Sequence, residues 1–288
     1  MSHIAYVNGR YVPHRAASVH IEDRGFQFAD AVYEVVAIRD GVFVDEELHL
    51  RRLHRSLDAL RIAAPMSDAA LRAVLREVVR RNGVAEGIVY LQVTRGSAPR
   101  DFAFPASARP GMVVTARRKA LIDPRLIAEG VRVITIPDIR WGRPDIKTVS
   151  LLPNALGKQR AKEAGAYEAW QVDRDGNVTE GTSSNAYIVT ETGEVVTRQA
   201  DHGILNGVTR TGLRHVMALL QLKLSERPFS VAEAKAAREA FLTSASNFVV
   251  PVTRIDGAAV GEGTPGPMTR RLIAAYAAYA TAGGQDQS

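Results

Sequence analysis

The chain has 288 residues, of which 46% are hydrophobic and 24% charged, with a formal net charge of +6 and no cysteine. This length and balance predict a globular protein with a sizeable core, and they exclude the disordered and collagen-like classes. The absence of cysteine excludes a disulfide framework, a thiolate metal site and a cysteine nucleophile, and it favours a reducing cytoplasm.

Nucleic acid and membranes are not expected as partners. The basic residues alternate with acidic ones and form no aromatic-basic array, so we interpret the positive excess as mostly surface charge. The N-terminal segment MSHIAYVNGRYVPHR has no apolar signal-peptide core, and no later stretch approaches the length that crosses a bilayer. No metal site is expected either.

Residues 1–120 are predicted to form a small α+β domain that begins with two hairpins. The segment AYVNGRYV turns at Asn8-Gly9, a step that tolerates the positive φ of a tight turn. AVYEVVAI and VFV pair around Arg39-Asp40-Gly41, and the later segments VYLQVTR and MVVTAR are also predicted strands.

Two helices are predicted between these strands. The first is capped by Asp45 and ends near Arg61, and its apolar face consists of Leu48, Leu53, Leu57 and Leu60. Off that face we expect His49, Arg52 and Arg55. The second helix is capped by Ser67 and stops at Asn82-Gly83, and its inward residues are Leu71, Val74, Leu75, Val78 and Val79.

Residues 121–288 are predicted to form a larger, strand-rich domain with flanking helices. After a turn at Asp123-Pro124, VRVITIP is a strand, and a loop with the residues DIK leads to a helix from about Pro153 to Gly165. The strands YEAWQVD and NAYIVT follow, separated by the Asp175-Gly176 turn and the segment VTEGTSS.

The last third of the chain is predicted to add two helices around two strands. A long helix begins near Val208 or Thr209, after the loop HGILNG. The strands EAFLTS and FVVPVTR then precede a C-terminal helix from about Pro267. The order of elements indicates an α+β fold with a small lobe and a larger strand-rich lobe.

Four loops contain more glycine and small hydroxyl residues than a structural turn requires, and loops on a rigid scaffold are where sites are built. They contain the segments DIK at 145–147, VTEGTSSN at 178–185, GVTR at 207–210 and LTSASN at 242–247. Their joint occurrence predicts one site made from several loops.

Several segments in this order resemble one enzyme family: VNGRYVP, GFQFADAVYEVV, HLRRL, VTRGSAPR, RWGRPDIKTVSLLPNALGKQRA, TEGTSSNAYIV, ILNGVTR and TSASNFVVPV. The chain resembles the fold type IV pyridoxal-phosphate enzymes, most closely the D-amino acid aminotransferase branch. The resemblance implies pyridoxal 5'-phosphate as cofactor and transfer of an amino group from a D-amino acid to a 2-oxo acid. It also implies a homodimer with shared active sites.

The resemblance gives three residues to the cofactor ring. Lys147 is expected to form the Schiff base with the cofactor aldehyde, which requires a pocket that favours the free amine. The same amine then moves a proton between the substrate Cα and the cofactor. Glu180 is expected at the pyridine nitrogen, where a carboxylate keeps that nitrogen protonated and makes the ring an electron sink. Leu205 is expected to pack on a ring face.

The resemblance gives five residues to the cofactor phosphate. Arg52 is the arginine of the segment HLRRL. The backbone N–H groups of Val208 and Thr209 begin a helix, whose dipole favours an anion. Ser244 and Ala245 resemble a second phosphate-binding turn, in which Ala245 offers only its backbone N–H.

Substrate recognition is expected at Tyr33, Ser183, Arg100 and Phe102. Tyr33 resembles a strand tyrosine near the lysine. In the D-amino acid branch, a segment R-G-x-x-P-R-x-H reaches in from the partner subunit, and its arginine and histidine bind the substrate carboxylate. Here Arg100 keeps the arginine, but Phe102 stands in place of the histidine, which removes a donor and adds apolar surface. This predicts a shift toward hydrophobic D-amino acids or amines without a carboxylate.

Other functions are compatible with the same resemblance. An (R)-amine or branched-chain transaminase would change the amino donor, and an aminodeoxychorismate lyase would change the reaction. The segment TVSLLPNALGKQRAKE after Lys147 is more similar to the aminotransferase branch. A catalytically silent protein would have no chemical need for both Lys147 and Glu180. The aminotransferase is therefore the favoured hypothesis.

Overall fold

The computed structural model describes residues 3–284. The chain divides into two compact units, one that comprises the chain up to Leu121 together with Ile146–Ser150, and one that comprises Ile122–Asp145 and the chain from Leu151 on. Within the described residues, no helix is long and apolar enough to cross a membrane.

From residue 3 on, the first unit contains one sheet, three α-helices and a 3-10 helix at His14–Ala16. Its strands are β1 (Ile4–Val7), β2 (Arg10–Pro13), β3 (Ala31–Arg39), β4 (Val42–Phe43), β5 (Gly87–Thr94) and β6 (Gly111–Arg118). Its helices are α1 (Arg24–Phe28), α2 (Glu46–Ala59) and α3 (Asp68–Arg81). The sheet is antiparallel in the order β2-β1-β6-β5-β3-β4.

Both predicted hairpins are present in this sheet. Asn8 and Gly9, between β1 and β2, have φ of 46° and 94°. Asp40 and Gly41, between β3 and β4, have φ of 50° and 77°. Two central residues with positive φ match the twist of the flanking strands, which is why the sequence signal was specific.

The helix α2 differs from its prediction in its cap and in its buried face. Asp45 has a left-handed backbone with φ 55°, and its side chain makes no capping hydrogen bond. His49 and Arg52, predicted to lie off the apolar face, are buried with 3% and 8% of their surface exposed. They are buried because Glu34 on β3 accepts hydrogen bonds from both. The buried face of α2 is therefore partly ionic.

The remaining helix predictions for this unit hold, except that one leucine of the buried face of α2 is a different one. Leu50 is buried where the prediction had Leu48, which is only partly buried. The cap of α3 is confirmed, because Ser67 Oγ accepts a hydrogen bond from Ala70 N at 3.4 Å. The short helix α1 was not predicted, since its five residues show no apolar period.

The second unit contains a mixed sheet with five helices among its described residues. Its strands are β7 (Val131–Pro137), β8 (Glu168–Val172), β9 (Val178–Gly181), β10 (Asn185–Val189), β11 (Val195–Thr197), β12 (Leu224–Glu226), β13 (Glu239–Ser244), β14 (Phe248–Ile255) and β15 (Ala258–Ala259). The helices are α4 (Pro124–Glu129), α5 (Leu152–Glu163), α6 (Val208–Leu219), α7 (Val231–Lys235) and α8 (Pro267–Thr281).

The sheet of the second unit runs in the order β12-β11-β10-β13-β14-β7-β8-β9, with β15 paired to β14. Two predictions are corrected here. The Asp123-Pro124 turn is the start of α4, where Asp123 accepts a hydrogen bond from Arg125 N at 2.9 Å. The first half of the segment VTEGTSS is the strand β9, so Glu180 projects from a strand and not from a loop.

Candidate active site

Lys147 lies in an extended segment that runs beside β3. Its carbonyl oxygen accepts a hydrogen bond from Tyr33 N at 3.0 Å, and Val149 N donates to Ala31 O at 3.2 Å. Lys147 N donates to Ser56 Oγ of α2 at 3.3 Å. The side chain thus starts from a backbone fixed on two sides, and its Nζ lies 4.3 Å from the centre of the Tyr33 ring. The structure brings Lys147 and Tyr33 together.

A buried ionic cluster lies one residue further along β3. The Glu34 carboxylate binds Arg52 through two hydrogen bonds of 2.8 Å and His49 Nδ1 through one of 2.7 Å. Burial alone would raise the pKa of Glu34, but Arg52 and His49 lower it from 4.5 to about 2. Glu34 is therefore ionised, and two of the hydrogen-bonding groups of Arg52 are engaged by a protein carboxylate.

His49 is neutral in this cluster. Burial lowers its pKa below the usual 6.5, and the hydrogen bond to Glu34 does not fully compensate. Because a carboxylate only accepts hydrogen bonds, the neutral ring carries its proton on Nδ1 and donates it to Glu34. The sequence offered one signal for this cluster: Glu34 is a charged residue within the apolar strand AVYEVVAI, where a charge requires a partner.

The cluster predicts a pH dependence of stability. Since the folded-state pKa of His49 is lowered, its contribution is complete above pH 6.5 and is lost as pH falls below that value. The Glu34 contribution is lost only between pH 4.5 and about 2. We therefore expect the urea midpoint of the wild type to fall from pH 7 to pH 5, and to fall less in His49→Gln, whose amide donates without titrating. Equal slopes would contradict a buried neutral His49; His14→Gln, at an exposed histidine, is the control.

Glu180 is held by three donors of the second unit. Arg140 Nη1 binds Oε1 in an ion pair, Leu205 N donates to Oε1 at 3.1 Å, and Asn185 Nδ2 donates to Oε2 at 3.0 Å. The same Asn185 amide donates to Leu205 O at 3.0 Å. Strand β9, the start of β10 and the 203–207 loop are thereby fixed to one carboxylate that is only 6% exposed.

Arg140 is the site residue that sequence reasoning missed. Besides Glu180 it binds Asp138, at 2.9 Å from Nε and 2.6 Å from Nη2, and it donates to Gly203 O at 3.2 Å. Burial would raise the pKa of Asp138, but Arg140 and Thr179 lower it below 3.8. The two carboxylates and one guanidinium carry a net charge of −1, which favours a cation beside Glu180. The available signal was the D-x-R spacing at the start of the segment that leads to Lys147.

An anion would find donors at the start of α6. Val208 and Thr209 are buried there, and the N-cap residue Gly207 provides no side-chain acceptor for the first N–H groups. A side chain at Gly207 would clash, because its Cβ would lie 2.1 Å from Asn185 Oδ1. At the end of β13, the buried Ser244 Oγ has no hydrogen-bond partner among the described residues, and the half-buried Ala245 follows it.

Three further predicted residues have defined surroundings. Ser183 is exposed and its Oγ donates to the buried Glu168 carboxylate at 2.7 Å. Arg100 is exposed, and its Cζ lies 4.6 Å from the centre of the Phe28 ring. The Phe102 ring is 84% exposed and lies 5.5 Å from the same Phe28 ring. Contact of these residues with substrate stays a prediction.

Comparison with known proteins identifies the family. A family model described as amino-transferase class IV matches residues 31–255. The chain belongs to the class IV aminotransferases. A D-alanine aminotransferase of Bacillus licheniformis is 41% identical over 266 residues, which are 92% of this chain and 93% of that protein. A D-alanine aminotransferase of Staphylococcus epidermidis is 36% identical over 276 residues, 95% of this chain and 96% of that protein.

Solved structures confirm the predicted fold. The branched-chain amino acid aminotransferase of Escherichia coli has a TM-score of 0.91 at 23% identity. The match covers 100% of this chain and 97% of the Escherichia coli chain. The branched-chain amino acid aminotransferase of Thermobaculum terrenum, solved in its PLP-form, has a TM-score of 0.83 at 24% identity. The match covers 99% of this chain and 95% of the Thermobaculum terrenum chain. The chain has the α+β fold of the fold type IV aminotransferases.

Pyridoxal phosphate is the cofactor of this class, and the residues of the chain fit it. The Asp138–Arg140–Glu180 cluster has a net negative charge and therefore favours a cation, such as a protonated pyridine nitrogen. The partnerless Ser244 hydroxyl and the N–H groups at the start of α6 suit a phosphate. Lys147 offers an amino group for the cofactor aldehyde, and hydrogen bonds fix its backbone.

Proposed function

We propose that this chain is a D-amino acid aminotransferase, which moves the amino group of a D-amino acid to a 2-oxo acid such as pyruvate or 2-oxoglutarate by ping-pong kinetics. The observation that carries the proposal is the 36–41% identity, over 92–95% of the chain, to proteins named D-alanine aminotransferase. The two branched-chain enzymes among the solved structures are 23% and 24% identical, which supports the fold and not their substrate.

Lys147 is the proposed catalytic residue. Bound pyridoxal phosphate supplies an aldehyde for the amino group and a ring that takes up the electron pair left when the Cα–H bond breaks. The Lys147 Nζ amine removes the Cα proton and returns it to the carbon that bore the aldehyde. The hydrogen bonds of its backbone to Tyr33 and Ser56 support this role, because proton transfer needs a fixed donor and acceptor distance.

Glu180 is proposed to accept a hydrogen bond from the pyridine nitrogen and to keep it protonated. Its fixation by Arg140, Asn185 and the Leu205 N–H supports this role, since a carboxylate held in advance requires no reorganisation during the reaction. Leu205, whose N–H binds Glu180, is proposed to pack on the ring.

The phosphate is proposed to bind the N–H groups of Val208, Thr209 and Ala245 and the Ser244 hydroxyl. The partnerless hydroxyl and the helix start support this placement. Arg52 stays a predicted phosphate contact, and its bonds to Glu34 would hold it in one orientation.

On the substrate side we propose Tyr33, Ser183, Arg100 and Phe102. Arg100 has no ion-pair partner among residues 3–284, so its charge is available for a carboxylate.

We also propose a cytoplasmic homodimer in which Arg100 completes the partner's site. The cysteine-free composition suits a reducing compartment, and the exposed Phe102 and Phe26 suit a covered surface.

The proposal is tested by a donor screen of the purified holoenzyme. D-alanine, D-phenylalanine, their L-enantiomers, L-leucine and an (R)-arylalkylamine are each offered with pyruvate and with 2-oxoglutarate. We expect turnover with the D-amino acids and none with the L-amino acids, and Phe102 predicts that D-phenylalanine is used at least as well as D-alanine.

Each other outcome identifies a different enzyme. Preference for L-leucine would indicate a branched-chain enzyme, and preference for the arylalkylamine an (R)-amine transaminase. Pyruvate release from aminodeoxychorismate without an acceptor would indicate the lyase. A protein that binds the cofactor but turns over none of these compounds would contradict an enzymatic role. Lys147→Ala serves as the blank in every assay.

A further inference from the structure

The loop between β5 and β6, which carries Arg100 and Phe102, is tied to the start of α1. Arg24 N donates to Gly96 O at 2.9 Å, and Ala98 N donates to Glu22 O at 3.3 Å. Residues 101–104, further along the loop, are all exposed and belong to no helix or strand. Their conformation therefore depends on individual side-chain bonds.

One buried arginine binds the backbone of residues 101–103, whereas the Phe104 ring has the Cζ atoms of Arg95 and Arg61 at 3.6 Å and 5.1 Å from its centre. The Arg24 guanidinium donates to three consecutive carbonyls of the loop: from Nη1 to Asp101 O at 2.6 Å and to Ala103 O at 3.3 Å, and from Nη2 to Phe102 O at 3.4 Å. Within residues 3–284, the backbone of Asp101, Phe102 and Ala103 receives no other hydrogen bond from outside the loop. Arg24 is only 3% exposed although the residues it binds are exposed.

Arg24 is itself fixed on its inner side. Its Nε forms an ion pair of 2.8 Å with Asp30 Oδ2, and its Cζ lies 4.7 Å from the centre of the Phe28 ring. The donors of a guanidinium are spread over three nitrogens in one plane, so it can hold a carboxylate on one side and carbonyls on another. The donors of a lysine all lie on one nitrogen and cannot span these positions.

The same short helix also supports the two side chains that the loop presents. Phe28, the last residue of α1, has the Arg100 Cζ 4.6 Å from its ring centre and the Phe102 ring 5.5 Å away. The guanidinium of Arg24 thus holds the backbone of the loop, and Phe28 receives its side chains. A change in the loop backbone would displace both Arg100 and Phe102.

We propose that Arg24 is a positioning residue that sets the affinity of the enzyme for the substrate carboxylate, because it holds the loop that presents Arg100 and Phe102. Arg24 acts through the loop and touches neither substrate nor cofactor. This inference rests on the proposed function, in which Arg100 binds the carboxylate.

The main test compares Arg24→Met with the wild-type holoenzyme. Loss of charge-assisted bonds to the loop is expected to raise KM for D-alanine and for pyruvate about tenfold. The Ki of propionate, a carboxylate without an amino group, rises by the same factor. Both kcat and the absorbance of the bound cofactor stay within about twofold of the wild type. A lower kcat at unchanged KM and Ki would overturn the proposal.

Arg95→Met is the matched control. Arg95 also binds Asp30 Oδ2, at 2.7 Å, and its Cζ lies 3.6 Å from the centre of the Phe104 ring, but its guanidinium donates to Leu60 O and Arg61 O and to no carbonyl of residues 101–103. It therefore contacts the loop through a ring and not through the backbone that carries Phe102. Both variants lose one buried partner of Asp30, so both should lower the melting temperature. Only Arg24→Met should change KM and Ki, and equal changes in the two variants would reduce Arg24 to a structural role.

Arg24→Lys decides the question if Arg24→Met does not fold. It keeps a charge beside Asp30, but the three donors of one ammonium group cannot serve Asp30 and three carbonyls together, so KM and Ki should lie between those of the wild type and about tenfold higher. Unchanged values, with unchanged hydrogen exchange at the amides of Ala98 and Ala103, would overturn the proposal. If the wild type turns over no D-amino acid, the proposed function fails instead, and amide exchange alone then shows whether Arg24 holds the loop.

Discussion

Lys147→Ala is expected to lose transamination by about 10³-fold or more. The substitution removes both the amine that bonds to the cofactor aldehyde and the base that moves the Cα proton, and a single positioned base contributes about 10² to 10⁴. Turnover of D-alanine with pyruvate measures the loss. Borohydride reduction followed by mass spectrometry should find the cofactor on the peptide of Lys147 in the wild type and on no peptide of the variant.

The variant should keep its fold, because what fixes this segment is its backbone. The bonds from Lys147 to Tyr33 and Ser56 involve main-chain atoms of the lysine and survive its truncation. Lys223→Ala is the control, since the side chain of Lys223 is 78% exposed and pairs with Glu194. Retained activity in Lys147→Ala, or loss of activity in Lys223→Ala, would contradict the assignment of the base.

The elements that could be predicted from the sequence are those that local chemistry determines. The Asn8-Gly9 turn and the Ser67 cap need only neighbouring residues, and both are present in the structure. The helix α4 and the short strands were missed because they span six residues or fewer, too few for a period to emerge. The domain boundary at about residue 120 stays a prediction, since compactness alone does not demonstrate independent folding.

The polar partners of the site could not be predicted, because they are distant along the chain. The helical period placed His49 and Arg52 with the exposed residues, yet Glu34 lies 15 and 18 positions earlier and buries them. Arg140 meets Glu180 from 40 positions away. Periodicity reports how apolar a face is, whereas a buried ion pair depends on which strand faces that helix. The motifs predict the residues of the site and leave their partners undetermined.

Glu180→Gln is expected to bind the cofactor but to lose turnover by about 10²-fold or more. An amide is neutral and cannot stabilise a protonated pyridine nitrogen, so the ring accepts the electron pair from the Cα–H bond less readily. The loss should appear in kcat rather than in KM, because the carboxylate acts when charge develops on the ring. Single-turnover absorbance with D-alanine measures this step apart from product release.

The substitution also tests whether Arg140 depends on Glu180. With an amide at position 180, Asp138 remains as the carboxylate of Arg140, so the fold should persist. Glu239→Gln is the matched control: its buried carboxylate accepts hydrogen bonds from Met268 N and Thr269 N at the start of α8, and the change should lower the melting temperature without lowering kcat. If Glu180→Gln were as active as the wild type, the charge at Glu180 would serve only to neutralise Arg140, and the ring nitrogen would need a different partner.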